Sequence, residues 1–242
     1  MEIRQLAVPR SFHKNETNDL APGWPFRMLF VGPSDCGKTM AAIGVILDYL
    51  NYDYIIVCSK SINGETYKAF RTEIEEREKK NNEVTSIWVM NLDDVPNPEE
   101  LHPDARTLVI FDDMIGQTNA EKKKITSYYT FGRHHNASII TMMQSYTGMP
   151  PWARESVSHL VIFKGIKRAH LDKIHEDFAS DFKNKKNFLT VYSACAEDIP
   201  YGYMVIDKKA KSIHRKIRFQ FDWFLDPTTL PYPETLTGSG GK

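Results

Sequence analysis

The chain has 242 residues, 41% of them hydrophobic, which suits one α/β domain with a sizeable core; its 31 basic and 31 acidic side chains balance, so net charge predicts no partner. The cysteines Cys36, Cys58 and Cys195 are scattered without a CxxC pair, which argues against a disulfide framework or a zinc site and fits a reducing compartment. The sequence contains no signal-peptide core and no apolar run of about 18 residues, so we expect a soluble protein without a membrane segment.

The two ends of the chain differ in composition from its middle. Residues 1–25 are polar and contain Pro9, Pro22 and Pro25, which predicts an arm that either binds a neighbouring subunit or is disordered. Residues 26–225 are expected to form one domain. Residues 226–242 are rich in Thr, Pro and Gly and have few apolar side chains, which predicts a flexible tail.

The domain begins with a strand, a glycine-bounded loop and a helix. Phe26–Val31 is typical of a buried strand, Thr39–Leu50 predicts a helix, and the loop between them fits the phosphate-binding pattern G-x-x-x-x-G-K-[ST] with Gly32, Pro33, Ser34, Asp35, Cys36, Gly37, Lys38 and Thr39. Backbone N–H groups of such a loop and the helix N-terminus form an anion site. We expect Lys38 to contact the β- and γ-phosphates of a nucleotide and Thr39 to complete a Mg²⁺ shell. The alternative is a chance match in a glycine-rich turn.

Strands and helices alternate along the rest of the domain. This alternation, with apolar strands, predicts an α/β fold with a mostly parallel central sheet flanked by helices. Two late segments are expected to pair as a β-hairpin across a lysine-rich turn. The predicted later strands are Tyr54–Cys58, Ile87–Met90, Thr107–Asp112, Ala137–Met143 and His159–Phe163, the helices are Glu65–Lys80 and Asn119–Arg133, and the hairpin joins Tyr201–Ile206 to Ser212–Arg218.

A second nucleotide motif ends the Thr107–Asp112 strand. The apolar residues 108–111 lead into two carboxylates, Asp112 and Asp113. At the end of such a strand Asp112 is expected to hold Mg²⁺ through its water shell, and Asp113 to orient and deprotonate the attacking water. The alternative is a pair of helix-capping carboxylates at a strand–loop junction.

The next strand supplies a polar amide at one end and an arginine at the other. Gln144 follows the Ala137–Met143 strand and is expected beside the γ-phosphate, where it senses hydrolysis or holds the water. Arg133 precedes Gln144 by 11 residues and should lie at the opposite end of that strand. It therefore should not reach the nucleotide of its own chain but could reach that of a neighbouring subunit as an arginine finger. A surface residue at a helix C-terminus and a turn residue are the respective alternatives for Arg133 and Gln144.

In this order, residues 32–39, 108–113 and 133–144 resemble the FtsK/HerA superfamily of DNA-translocating ATPases, and more narrowly the poxvirus-type genome-packaging ATPases of large DNA viruses and virophages. The resemblance covers about residues 26–165. Asp113 is a departure from cellular members, which generally carry Glu there, whereas Asp is familiar in the viral branch. For this chain the resemblance implies a RecA-like P-loop fold with ATP and Mg²⁺ as cofactors, and it carries over to Lys38, Thr39, Asp112, Asp113, Arg133 and Gln144.

The resemblance also implies partners and a place of action. These are sequence-independent double-stranded DNA, a homo-oligomeric ring of six or five subunits, and the vertex of a preformed viral capsid, for a virus-encoded protein in the host cytoplasm, the virus factory or the virion. Basic runs such as Lys122–Lys124 and the segment from Lys208 to Arg218 are candidates for DNA contact, with solvated surface as the alternative. A DNA-handling ATPase of a mobile element, of the coupling or helicase-loader type, and a non-hydrolysing nucleotide-binding scaffold are the competing hypotheses.

Overall fold

The computed structural model describes residues 20–81, 84–114, 119–180, 182 and 184–225. Residues 1–19 of the predicted arm and the whole predicted tail, residues 226–242, lie outside this part. Within it, nine strands form a single sheet: β1 Arg27–Val31, β2 Tyr54–Ser59, β3 Thr85–Val89, β4 Thr107–Asp112, β5 Ala137–Met143, β6 His159–Phe163, β7 Tyr203–Asp207, β8 Ile217–Phe219 and β9 Trp223–Leu225.

The strand order is β3-β2-β4-β5-β1-β6-β7-β8-β9. All pairs from β3 to β6 are parallel, whereas β7, β8 and β9 pair antiparallel. The prediction of a mostly parallel sheet with a late hairpin is therefore confirmed. The pairing segments of the hairpin, β7 and β8, are shorter than predicted, and β9 adds a strand that the sequence patterns did not indicate.

Helices cover both faces of the sheet. The α-helices of the described residues are α1 Lys38–Tyr49, α2 Glu65–Asn81, α3 Asn119–Phe131, α4 Pro151–Ser156, α5 Arg168–Phe178 and α6 Lys185–Tyr192. Helix α3 was expected to end at Arg133 but ends at Phe131, because a 3₁₀ turn begins at Gly132 and closes at Asn136, whose φ is 50°. Helices α4, α5 and α6 were not predicted.

Two core layers explain why the central strands are mostly apolar. Alternate side chains of a strand point to opposite faces, so Leu29 and Val31 of β1 join one layer and Met28 and Phe30 join the other. Helices α1 and α2 pack on the second layer, and α3, α5 and α6 on the first. A strand covered on both faces excludes water from both sides, which favours runs of β-branched and aromatic residues.

The edge of the sheet at which the parallel strands begin carries a buried ion pair. Arg218 of β8 is 3% exposed and donates from Nη2 to Oδ2 of Asp207 over 2.6 Å. The same guanidinium donates from Nη1 to the carbonyl oxygen of Leu20, and the indole of Trp24 donates to the carbonyl oxygen of Asn136 over 3.0 Å. Residues 20–25, the end of the predicted arm, are thus bonded to the domain. No helix of the described ranges has the length and apolar composition needed to cross a bilayer.

We expect Arg218→Ala to lower the free energy of unfolding by about 3–5 kcal/mol, because it leaves the buried Asp207 carboxylate without its guanidinium partner and with only the Lys209 N–H and the His159 ring as contacts. Arg168→Ala is the matched control, since Arg168 pairs with Asp172 over 3.2 Å at the surface and is 64% exposed. Its loss should cost at most about 1 kcal/mol. Urea unfolding of both variants measures the difference, and equal losses would contradict the structural role of Arg218.

Candidate nucleotide-binding site

Two positions of the loop between β1 and α1 suit only glycine, one for lack of space and the other for its backbone conformation. A Cβ added to Gly32 would lie 2.5 Å from Sγ of Cys36 and 2.8 Å from Cβ of Phe163, so no side chain fits there. Gly37 has a φ of 94° and forms the N-cap of α1, a left-handed conformation that glycine adopts without steric cost. The predicted loop residues Gly32 to Gly37 therefore lie directly between β1 and α1, and Lys38 and Thr39 begin α1, as the pattern requires.

Lys38 concentrates positive charge at this loop. Its Nζ donates to the carbonyl oxygens of Gly32 over 2.8 Å and Pro33 over 2.6 Å. The first turn of α1 contains no acidic residue, so the partial positive charge of the helix N-terminus is not neutralised there. The loop thus combines a lysine with a helix N-terminus, which together suit a polyanion such as a triphosphate.

Cys36 is a packing residue of the loop rather than a reactive one. Its side chain is 4% exposed and contacts the layer that contains Phe30 and Phe163. Burial raises the pKa of the Cys36 thiol, although the nearby Lys38 opposes that shift. A thiol with a raised pKa is mostly protonated and unreactive at neutral pH.

Thr39 and Tyr67 contact the same carboxylate oxygen of Asp112. Thr39 Oγ1 lies 3.5 Å from Oδ2 of Asp112, and the Tyr67 hydroxyl donates to the same oxygen over 2.6 Å. Burial raises the pKa of Asp112, and the hydrogen bond from Tyr67 opposes this by favouring the carboxylate. The donor set fits Mg²⁺, which takes oxygen ligands and usually needs only one or two protein carboxylates beside the substrate phosphates.

Sequence reasoning missed Tyr67. The apolar positions Tyr67, Phe70 and Ile74 of α2 recur at helical spacing and indicate a buried face. That periodicity predicts packing but not the partner of the hydroxyl, because Asp112 lies 45 residues further along the chain.

Asp113 and Gln144 meet at the ends of neighbouring strands. Asp113 follows β4, Gln144 follows β5, and the Gln144 side-chain amide donates from Nε2 to Oδ2 of Asp113 over 3.4 Å. Both side chains are exposed. Asp113 has a φ of 52°, a left-handed conformation that non-glycine residues rarely adopt and that recurs at functional sites.

Strand order explains how these groups meet beside the loop. Strand β5 lies between β1 and β4, with Val31 level with Met143 and Asp112 level with Met142. The carboxyl ends of the three strands therefore lie at one edge of the sheet. Sites of open α/β sheets lie at this edge, outside the carboxyl ends of the strands.

Arg133 lies at the other edge. It is exposed and belongs to the turn Gly132–His135, which precedes β5. A strand of seven residues such as β5 spans about 20 Å, so Arg133 is far from Gln144 and from the loop of its own chain. Arg27 begins β1 at the same edge. Burial lowers its pKa, and the positive charge of Arg133 adds to the effect.

Lysines that follow β6 and β7 lie at opposite edges of the sheet. Lys164 and Lys167 follow β6 on the loop side, whereas Lys208 and Lys209 follow β7 on the opposite side. Lys208 Nζ donates to the carbonyl oxygen of Glu155 over 3.0 Å. On α3, Lys124 Nζ donates to the side chain of Asn97 over 2.8 Å.

Comparison with known proteins gives one family and several viral relatives. The family model described as Poxvirus A32 protein matches residues 12–207. The DNA packaging protein OPG160 of Variola virus is 26% identical over 161 residues, which cover 57% of this chain and 53% of that protein. The uncharacterized protein L437 of Acanthamoeba polyphaga mimivirus is 26% identical over 123 residues, which cover 50% of this chain and 42% of that protein. The chain thus spans about half the length of these relatives.

Solved structures share the fold. B204, the DNA-packaging ATPase of Sulfolobus Turreted Icosahedral Virus, superposes with a TM-score of 0.56 at 15% identity, covering 81% of this chain and 97% of B204. The genome packaging NTPase B204 of Sulfolobus turreted icosahedral virus 2, in complex with AMP, superposes with a TM-score of 0.53 at 14% identity and covers 81% and 96%. The expected P-loop fold is therefore confirmed.

We expect Gly32→Ala to destabilise the protein by about 1–3 kcal/mol, because the added methyl group overlaps Cβ of Phe163, which cannot rotate away from its strand. Gly44→Ala in the interior of α1 is the matched control. Nothing lies within 4 Å of a Cβ at Gly44, so this change should stabilise by about 0.5–1 kcal/mol. Urea unfolding measures both, and equal stability of the two variants would disprove the close contact under the loop.

Proposed function

The chain belongs to the Poxvirus A32 protein family, and on that premise we propose that it is an ATP-hydrolysing motor that moves double-stranded DNA into a preformed viral capsid. The observation that carries the proposal is the meeting of the Gly32–Thr39 loop, Asp112, Asp113 and Gln144 at the ends of β1, β4 and β5. The names of its relatives, a DNA packaging protein and genome packaging NTPases, support it.

Within the proposed site, the loop holds the triphosphate. Backbone N–H groups and the N-terminus of α1 face the phosphates, and the Lys38 ammonium exchanges its loop carbonyls for phosphate oxygens. Thr39 and Asp112 would hold Mg²⁺, which would supply the positive charge that offsets negative charge on the β- and γ-phosphates. The Tyr67 hydroxyl keeps Asp112 in place through its 2.6 Å hydrogen bond.

Asp113 acts on the attacking water. It is exposed beside the Gln144 amide, at the edge where the γ-phosphate ends. Its carboxylate orients the water and accepts a proton as the oxygen attacks phosphorus, and the ADP oxygen leaves on the far side. The Gln144 amide hydrogen-bonds either to Asp113 or to the attacking water, so its hydrogen bonds depend on whether the γ-phosphate is present.

Arg133 completes the site of a neighbouring subunit. Its place on the opposite edge, about one strand length from its own loop, suits a finger that stabilises transition-state charge in trans. This arrangement requires a homo-oligomeric ring of five or six subunits in which one edge of the sheet faces the other edge of the next subunit. Lysines from both edges would then face a duplex, whose phosphates attract them without regard to sequence.

The proposed motor is virus-encoded and acts in the host cytoplasm or virus factory, at a capsid vertex that becomes part of the virion. The viral source of its relatives supports this setting. Asp113 and Gln144 favour hydrolysis over a non-hydrolysing scaffold, because a scaffold would need no proton acceptor at the γ-phosphate edge.

We expect Asp113→Asn to lower DNA-stimulated phosphate release by about 10²–10⁴-fold, because the amide cannot accept the proton of the water. The same change at Asp35 is a closely matched control. The side chain of Asp35 is also exposed, and its backbone is also left-handed, with a φ of 59°. Asp35 lies in the loop, however, where it contributes only its backbone N–H. Asp35→Asn should keep most activity. Wild-type turnover in Asp113→Asn would disprove the assigned role of Asp113.

A mixing experiment tests Arg133. Arg133→Ala and Lys38→Ala should each be inactive alone, whereas mixed rings should recover part of the DNA-stimulated ATPase activity. Recovery is expected because some interfaces join an intact Lys38 to an intact Arg133 of the next subunit. Native mass measurement confirms that mixed oligomers form. Mixed rings without recovery would contradict a shared site.

A further inference from the structure

We propose that Tyr201 binds the base of the nucleotide by stacking; this assignment rests on the proposed nucleotide site and adds the residue that contacts the nucleoside. The sequence motifs define the phosphate and hydrolysis groups but no base contact. Tyr201 lies in the connection that leads into β7, far along the chain from the loop at Gly32–Thr39.

The fold brings Tyr201 over the N-cap of α1. Strand β7 runs antiparallel to β6, with Tyr203 level with Phe163, so the start of β7 lies at the edge where β6 ends. A Cβ built on Gly37 would lie 3.2 Å from Cδ1 of Tyr201 and 3.9 Å from its Cγ. The Tyr201 ring therefore borders the backbone of the loop itself.

Neither burial nor backbone preference explains an aromatic residue at this position. The Tyr201 side chain is 67% exposed, more than any other large hydrophobic side chain in the described ranges. Its φ of 55° is left-handed, which is unfavourable for a bulky residue. An exposed ring on a strained backbone gains little from packing, which points to a ligand as its partner.

The turn around Tyr201 fixes the ring in this place. The Gly202 N–H donates to the carbonyl oxygen of Ile199 over 3.0 Å. A Cβ on Gly202 would lie 2.4 Å from the carbonyl oxygen of Cys195, so the turn packs tightly against the preceding helical segment. Tyr201 is thus presented by a rigid turn and needs little reorganisation to bind.

Strand order places the ring at the nucleoside end of the site. The hydrolysis groups Asp113 and Gln144 lie on the β4–β5 side of β1, and Tyr201 lies on the β6–β7 side. A triphosphate whose γ-phosphate reaches Asp113 therefore extends its ribose and base toward β7. A cleft of about 370 Å³ opens on that side of the loop, lined by residues 33–36, Lys164, Gly165 and Glu197, a volume within the range of small-ligand sites.

The chemistry of the contact predicts its specificity. The face of an aromatic ring stacks on any base, because every base has a π-face. Tyr201 should therefore strengthen binding of adenine and guanine nucleotides to a similar extent. It should not affect inorganic tripolyphosphate, which has no base.

The test measures binding of a non-hydrolysable ATP analogue, the GTP counterpart and inorganic tripolyphosphate to the full chain by calorimetry. Tyr201→Phe keeps the ring and should bind like the wild type. Tyr201→Asn removes the ring, while Asn tolerates the left-handed backbone. It should weaken both nucleotides by about 5- to 150-fold and leave tripolyphosphate unchanged. Trp223→Ala, which removes another exposed aromatic side chain, 61% exposed on β9, is the control and should change nothing.

The outcomes separate this proposal from the function on which it rests. Unchanged nucleotide affinity in Tyr201→Asn overturns the stacking role while the wild-type protein still binds ATP. An equal loss of tripolyphosphate affinity also overturns it, because the ring would then act only through the shape of the loop. A wild-type protein that binds neither nucleotide nor tripolyphosphate overturns the proposed function as well.

Discussion

The parallel hydrogen bonding of β4, β5 and β1 is the interaction on which the candidate site depends. The register sets Asp112 level with Met142 and Val31 level with Met143, so three buried strands end together. A slip of one residue in β5 would move Gln144 by about 3.3 Å. It would also turn each apolar side chain of β5 from its own core layer to the other one. Burial of both faces therefore fixes the register, and the register fixes the distance between the Gln144 amide and Asp113.

The two edges of the sheet carry functional groups of different kinds. The carboxyl edge carries the loop and the carboxylates, whereas the opposite edge carries exposed Arg133 and the partly buried Arg27. One chain cannot bring both edges to the same phosphate, since β5 is rigid and spans about 20 Å between them. In the proposed motor, a neighbouring subunit resolves this separation, and hydrolysis in one subunit is then coupled to the position of the next.

Local sequence patterns predicted β4, β5 and β6 to the residue, β1 and β2 to within one residue at one end, and the last third of the chain poorly. Strands β4, β5 and β6 have the predicted bounds because both faces are buried, so each is a mostly apolar run that is flanked by polar residues on both sides. The last third of the chain has mixed patterns, and the motifs do not extend into it. Helices α5 and α6 and strand β9 were missed there, and the end of α3 was placed two residues too late because the turn at Gly132 continues in helical form.

By itself, the sequence determined the phosphate loop, the paired carboxylates and the strand-end glutamine, because each is a short pattern whose chemistry follows from adjacent residues. Tertiary structure alone decided which distant side chains support them. Tyr67 reaches Asp112 from α2, and Tyr201 covers Gly37 from the connection before β7. Such contacts follow from the order of strands in the sheet and the packing of helices on it, which local periodicity does not specify.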